Sequence, residues 1–596
     1  MERRTFIKLA GASSLAPAAL SAASQKPLPD DILIDAVSFT HKGGWKVDPQ
    51  FIEQMGSPYL LAHGLGKPVT NANTTVQVKS AGKYHLWVRT KNWCPGKWEA
   101  PGRFQVLFNG KKNQTVFGTE GDWAWQKGTA VELAKGETTI ELGDLTGFEG
   151  RCDAIFLTKD SSAKPPNELK ALAEWRRAQH GLSNKPDEVK KFDLVIAGGG
   201  IAGCAAALAA DEQGLKVALI QNRPVLGGNA SSEVRVHTLG IHGKVSRILK
   251  KIDTKHWPNN SPDAYKDESK RHASMKAAKN ITLYLDYTVT DVHTMGKAIT
   301  ALRARSNTSH KNILLSGDQF IDCTGDGIVA FKAGASFRYG RESKNEFKES
   351  WDKYGDLWSP EKPDNRVMGS TVMWRSTKSK KAEQFPSTPW AKDVAKSYAE
   401  KRSEWYWEYS DNDKHQIHDA EAIRDHMFRA VYGNFSNVKK NPANAQLKLE
   451  WVAYIAGKRE SRRIMGDYIY SQKDVTSLKK FPDTVVIEER EIDVHYQKSL
   501  KGFAVDFISK ALFMKLKGHY SIPFRSLYSK DVSNLMMAGR CFSCSHIGLG
   551  GPRVMNTCGQ MGAATGYAAA LCKKHSTTPR GVYQKHIKKL RQLIGF

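Results

Sequence analysis

The sequence predicts a multidomain chain: an antiparallel β-sandwich of jelly-roll type, then an α/β domain of Rossmann type that carries an inserted α+β domain. Three observations predict it. Between residues 32 and 160, short alternating runs such as Tyr84–Arg89 (YHLWVR), Phe104–Phe108 (FQVLF) and Thr138–Leu142 (TTIEL) are separated by glycine turns, which is how sandwich strands are spaced. Residues 192–221, FDLVIAGGGIAGCAAALAADEQGLKVALIQ, read as strand, tight turn, small-residue helix and strand. From 337 to 525 that pattern gives way to polar sequence carrying Trp351, Trp358, Trp374, Trp390, Trp405, Trp407 and Trp451, before a strand and a second small-residue helix resume.

The chain opens with Arg3 and Arg4, then Phe6, Ile7 and Lys8, an apolar stretch from Leu9 to Leu20, and small residues through Ala23. This pattern, residues 1–23, is that of a twin-arginine export signal, and the apolar stretch is too short to span a bilayer. Export to the periplasm or exterior is therefore expected, with no integral membrane segment. The balance of 89 Lys and Arg against 61 Asp and Glu gives a net charge of +28. In an exported protein with scattered basic residues, that charge favours a solvated surface or an acidic glycan partner over nucleic acid.

Six tryptophans, Trp45, Trp87, Trp93, Trp98, Trp123 and Trp125, fall in the sandwich segment, which resembles a carbohydrate-binding module. Trp87 alternates with core positions and is expected inside. Trp93 and Trp98 flank a proline-glycine loop and are the candidates for stacking on sugar rings. Cys94 and Cys152 are the pair available for a disulfide in an oxidising compartment, a pairing that spacing leaves open. Residues 161–191 read as a linker around a short helix, ELKALAEWRRAQHG.

In the α/β domain, assigned to 192–336 and 526–575, Gly198 permits the tight turn, Gly200 lets a pyrophosphate approach the backbone, and Gly203 lets the helix pack closely. The unpaired N–H groups of the helix then face the phosphates. Where an acidic residue commonly holds the ribose, Gln221 stands, followed by Asn222 and Arg223; an amide still hydrogen-bonds ribose, and Arg223 leaves a 2′-phosphate open.

Three further segments follow in order: Arg223 to Val236 (RPVLGGNASSEVRV), Phe320 to Gly327 (FIDCTGDG), and Asn534 to Cys541 (NLMMAGRC) running on to Gly562. Together with the first turn they resemble the FAD-dependent oxidoreductase family, an exported group distantly like fumarate-reductase flavoproteins. The resemblance implies FAD. Its adenine half is expected on Gly198–Gln221 and its flavin half between the later motifs. Gly227 and Gly228 would allow close approach, Asn229 and Ser232 would offer hydrogen bonds, and Asp326, beside Thr324 and Gly325, would meet a ribose or ribityl hydroxyl. Gly539 and Arg540 leave the strand, and Asn556 and Thr557 open a helix aimed at the flavin. Its glycines suit packing against the cofactor.

No second G-x-G-x-x-G follows, so a separate nicotinamide domain is not expected. No metal site is expected either: Cys541, Cys544 and His546 lack a fourth ligand, and the cysteines read as packing. His546 is the leading candidate base and His237 the second, with Arg235 and Arg553 as anchors for an anionic group. Residues 337–525 would cap the substrate, and 576–596 form a basic helix. The expected activity is oxidation of a carbohydrate or glycoside hydroxyl by hydride transfer to flavin, with an electron acceptor that no motif identifies. The alternatives are a reductase of activated double bonds and a glycan-binding protein with a non-catalytic flavin domain.

Overall fold

The structure is a computed structural model that describes residues 26–183, 185–411, 413–496 and 505–596; the export-signal segment lies outside them. From Ile32 to Thr158 the alternating runs form antiparallel sheets. Strands Ile32–Asp35, Ala154–Thr158, Gly82–Thr90 and Ala124–Lys127 lie side by side, and Ala72–Val78, Gly136–Asp144, Phe104–Phe108 and Lys111–Lys112 make a second layer. Alternation decides which face is inside: Tyr84, Leu86 and Val88 from one layer and Ile140 and Leu142 from the other share one core. Each such burial contributes about 1.5–3 kcal/mol.

A third sheet, of strands Gly150–Cys152, Tyr59–Ala62 and Lys46–Asp48, is fastened to the rest of the chain. Helix Ala420–Lys439 is amphipathic in an unusual way, because Arg424 and Asp425 lie on its buried side. Arg151 meets Asp425 at 2.5 Å and Glu421 at 2.6 Å, while Arg424 meets Asp48 at 2.5 Å and the Tyr59 hydroxyl at 2.9 Å. With both members present each buried charge is neutralised; removing one member of such a pair costs about 3–5 kcal/mol.

Trp93, expected to face a sugar, is 5% exposed and packs edge-on against Trp390, with its Nε1 donating to the Phe148 carbonyl. Trp98 donates to the Cys94 carbonyl and lies under Arg429. Both are packing residues at this junction. Trp87 is half-buried rather than buried, with Lys127 over its ring. Cys94 and Cys152 are free, as are the other six cysteines, and all eight are buried. The expected short helix is Leu169–Gln179, capped by Glu168, and its Trp175 packs on Trp125 and Phe156.

The α/β sheet carries five parallel strands in the order Ile281–Leu285, Val217–Gln221, Glu188–Ala197, Asn312–Asp322 and Leu535–Met537, so the chain reverses direction of travel at the central strand. Ala298–Ser306 pairs antiparallel with the start of Asn312–Asp322, and Tyr287–Met295 pairs with it in turn. The small-residue helices Ile201–Asp211 and Met555–Lys574 lie on one another. A Cβ on Gly562 would stand 2.0 Å from the Ala202 carbonyl, and one on Gly566 2.3 Å from that of Ala206. The glycine spacing of the second helix therefore serves helix-to-helix contact, where the sequence suggested contact with the cofactor. Tyr470, Val475, Val486, Val494, Leu512 and Ile522 of the intervening segment share the core beneath this helix pair. Among the described residues, no helix is long and apolar enough to cross a membrane.

One buried carboxyl makes the fold pH-sensitive. Glu349 accepts from the Gln472 amide at 2.8 Å and the Ser545 hydroxyl at 2.5 Å, yet burial outweighs both and pushes its pKa up to about 7. A raised carboxyl pKa gives stability that is complete below the unfolded value of 4.5 and lost as pH climbs to about 7. Glu349→Gln is therefore expected to gain about 1–3 kcal/mol on wild type between pH 5 and pH 8. Urea denaturation at the two pH values checks this, and an equal difference at both would overturn it.

Candidate active site

The glycines of the first turn divide by what a side chain would meet. Gly198 has φ +101°, and a Cβ there would stand 2.3 Å from the Cys323 carbonyl; a Cβ on Gly203 would stand 1.9 Å from that of Gly198. Those two close the turn and seat the helix. Gly200 is different: its backbone is extended, and a Cβ would find no heavy atom nearer than Gly228 Cα at 3.8 Å. Geometry inside the chain does not demand glycine there, so the demand comes from what approaches the turn.

What approaches it occupies a cavity of about 820 Å³ along the carboxyl edge of the parallel sheet. On one side of the turn its wall holds Gln221, Asn222, Arg223, Tyr287, Thr288 and Val289; on the other, Thr324, Gly325, Asp326, Gly539, Arg540, Arg553 and Cys558. Gly227 and Gly228 stand beside Gly200, and Asn229 and His237 also belong to the wall. A dinucleotide lies at such a switch point, with its pyrophosphate over the helix N-terminus. The two glycine segments, the open space at Gly200 and a cavity reaching over four strand ends fit FAD. Gly198 and Gly200 would hold the pyrophosphate, Asn222, Arg223 and Tyr287–Val289 the adenosine, and Gly539, Arg540 and Cys558 would border the flavin.

Several expected contacts are already used within the chain. Gln221 Oε1 accepts from the Gly199 amide at 2.8 Å and its Nε2 donates to the Val225 carbonyl at 3.0 Å, so it locks the turn instead of reaching ribose. Arg223 pairs with Glu233 at 2.9 Å. Asp326 accepts from Lys458 at 2.7 Å, the Ser461 hydroxyl at 2.8 Å and Arg540 at 3.0 Å. Burial would raise its pKa, but Lys458 and Arg540 hold it well below the usual range. It is a clamp between motifs and not a free hydroxyl acceptor. Thr324 donates to Asp322 at 2.6 Å. Asn229 donates to the Lys458 carbonyl at 2.9 Å.

Ser232, Asn556 and Thr557 do not line the cavity: they bond Glu268, the Gly240 carbonyl and Glu488. Arg235 does not line it either. It is 4% exposed, with its guanidinium 4.2 Å from the Trp451 ring and Nε donating to the Ser232 carbonyl.

The leading candidate base is placed elsewhere. His546 is buried, with Nδ1 2.8 Å from Glu460, Nε2 3.0 Å from the Tyr496 hydroxyl and its amide on Glu342. Both ring nitrogens are engaged and neither faces the cavity, because residues 545–549 turn into a short helix that points the ring into the core. His237 stands in the wall. Its ring lies 4.4 Å from that of Trp257, and its Nδ1 is buried without a hydrogen-bond partner. Burial, aided by nearby His256 and opposed by Asn259, holds its pKa below the ordinary 6.5.

Sequence reasoning missed one end of the cavity. Asp493 and His495 are alternate residues of strand Ile492–Tyr496, a D-x-H spacing that puts both on one face and was legible. His495 Nδ1 is 2.6 Å from Glu408, and its Nε2 is 3.0 Å from Asp493 and 3.1 Å from Arg553. Arg459 joins Glu408 at 3.2 Å and Arg490 joins Asp493 at 3.1 Å. Burial alone would raise the Glu408 pKa; Arg459 and His495 bring it down to about 2. Trp405 packs 5.0 Å from the His495 ring beside this network, and Trp257, 72% exposed, adds a second aromatic surface to the cavity wall. Gln50 and Phe51 of the N-terminal sheets also reach the wall.

The parallel sheet, glycine turn and long cavity define a dinucleotide-binding α/β oxidoreductase. Residues 193–594 match the FAD dependent oxidoreductase family, and the chain belongs to it. It is an FAD-dependent oxidoreductase enzyme. A dihydrolipoamide dehydrogenase of Chaetomium thermophilum is 39% identical over 74 residues, 12% of this chain. The match spans only 14% of that curated relative's length.

Among solved structures, THI4 of Thermovibrio ammonificans is 18% identical over 25% of this chain and 64% of that one, with a TM-score of 0.21. A geranylgeranyl bacteriochlorophyll reductase-like protein of Thermoplasma acidophilum is 12% identical over 68% and 83%, with a TM-score of 0.30. A family 35 carbohydrate binding module of Clostridium thermocellum is 18% identical over 22% and 93%, with a TM-score of 0.17. Likenesses at such scores carry no statement about substrate.

Proposed function

We propose that the enzyme oxidises a hydroxyl of a carbohydrate or glycoside, and does so outside the cytoplasm after twin-arginine export. The observation that carries the chemistry is His237, an imidazole with an unpartnered Nδ1 in the cavity wall, kept neutral by burial. A neutral imidazole accepts a proton, whereas an imidazolium does not. FAD, when bound, supplies the acceptor for the hydride that leaves the carbinol carbon. The His237 imidazole would take the hydroxyl proton as the carbonyl forms, with the Trp257 ring packed 4.4 Å from it at a tilt of 51°. Trp257 and Trp405 offer faces for sugar rings, the role that Trp93 and Trp98 do not fill. Arg490 and Arg553 line the same cavity and bring positive charge to it. Export rests on Arg3, Arg4 and the apolar stretch that follows.

Anaerobic mixing with a panel of neutral and acidic sugars and glycosides tests this reading. Saturable bleaching of the flavin band by a member of the panel is expected. No bleaching, together with reoxidation of the reduced enzyme by an α,β-unsaturated carboxylate, would replace it with the double-bond reductase.

A further inference from the structure

The geometry points to a divalent-metal site, separate from the FAD cavity, formed by Asp35, His180 and His310. The three come from different parts of the chain. Asp35 ends the first strand of the N-terminal sheets, His180 follows helix Leu169–Gln179, and His310 stands in the turn between Ala298–Ser306 and Asn312–Asp322 of the α/β sheet. One carboxylate oxygen and one nitrogen of each ring lie within 4.8 Å of one another.

The spacing suits a cation better than a hydrogen bond. His180 Nε2 and His310 Nδ1 are 3.4 and 3.5 Å from Asp35 Oδ2. Both nitrogens are buried and neither has a hydrogen-bond partner. Ligands about 2.1 Å from a tetrahedral zinc ion are separated from one another by about 3.4 Å. The other carboxylate oxygen is engaged, since Oδ1 accepts from Arg176 at 3.1 Å, so Asp35 would bind through one oxygen. A void of about 10 Å³, the space of one water, opens beside Asp35 and His310.

Two imidazoles and one carboxylate select a borderline ion such as Zn²⁺ or Co²⁺ over Mg²⁺ or Ca²⁺. The guanidinium groups of Arg176 and Arg305 also act on Asp35 and oppose a second positive charge. The site is therefore weaker than the same ligands would make without them. The ligands meet only when the N-terminal sheets, the connecting helix and the α/β sheet are docked, so metal binding stabilises that docked arrangement.

The test uses full-length, flavin-loaded protein without an added histidine tag, stripped with chelator and titrated with Co²⁺. A tetrahedral cobalt spectrum saturating at one ion per chain and displaced by Zn²⁺ is expected. His180→Gln and His310→Gln should each weaken cobalt binding at least tenfold and remove the rise in unfolding temperature that Zn²⁺ gives the wild type. Both variants should keep wild-type flavin content, because neither residue lines the cavity. Absence of the cobalt spectrum in wild type, or equal binding by wild type and the double variant, would overturn the site; the wild-type titration decides even if a variant fails to fold.

Discussion

Gly200→Val is expected to fold and to purify without flavin. Most fingerprint glycines cannot make this distinction, because a side chain on Gly198 or Gly203 strikes backbone whether or not a cofactor is present. Gly200 has φ −68° and ψ −177°, a conformation open to any residue, and its Cβ would meet nothing closer than 3.8 Å. Valine is thus tolerated by the polypeptide alone. Its methyl groups would fill the space over the helix N-terminus, where the pyrophosphate must come within hydrogen-bonding distance of the amides. The expected result is FAD binding weakened more than a hundredfold, about 3 kcal/mol, with the unfolding temperature of stripped protein changed little. The ratio of flavin to protein after purification, with thermal unfolding of both stripped proteins, provides the check. A fully yellow variant would mean that the turn does not carry the phosphates. Gly203→Val should lose flavin and stability together.

The division between legible and hidden features follows from what a side chain's partner is. Strands, the first turn, the helix at Leu169–Gln179 and the packing role of Cys541 and Cys544 rest on local spacing and small size, which sequence displays directly. Gln221, Asp326, Thr557 and His546 are polar residues at strand or helix ends, where sequence suggests a ligand. Each instead binds a group within the chain: Gln221 the turn before it, Asp326 Lys458 and Arg540, Thr557 Glu488, and His546 Glu460 and Tyr496. Apart from Gln221, those partners lie tens to hundreds of residues away, and no local pattern encodes the meeting. The metal-type cluster was hidden for the same reason, since Asp35, His180 and His310 share no spacing motif. Trp93 was misread because a tryptophan beside a proline-glycine loop looks exposed until another segment covers it; here Trp390 does.

His237→Ala is expected to keep its flavin and to lose about 10²–10⁴-fold in the rate of flavin reduction by substrate. The loss should fall on the rate constant rather than on KM, since the imidazole takes a proton and the Trp257 and Trp405 faces remain for binding. The pH dependence carries the sign of the assignment. Burial holds the His237 pKa below 6.5, so wild-type activity should rise with pH on the acid side and level off before neutrality, and the variant should lack that limb. Added imidazole should restore part of the rate. His546→Ala should behave in the opposite way. It leaves Glu460 buried without one of its partners and costs about 1–3 kcal/mol of stability, while the flavin-bound fraction reduces at nearly the wild-type rate. A histidine that acts on substrate changes rate and pH profile; one that holds a buried carboxylate changes the unfolding midpoint. Wild-type reduction by His237→Ala, or an acid limb well above pH 7, would remove the base assignment.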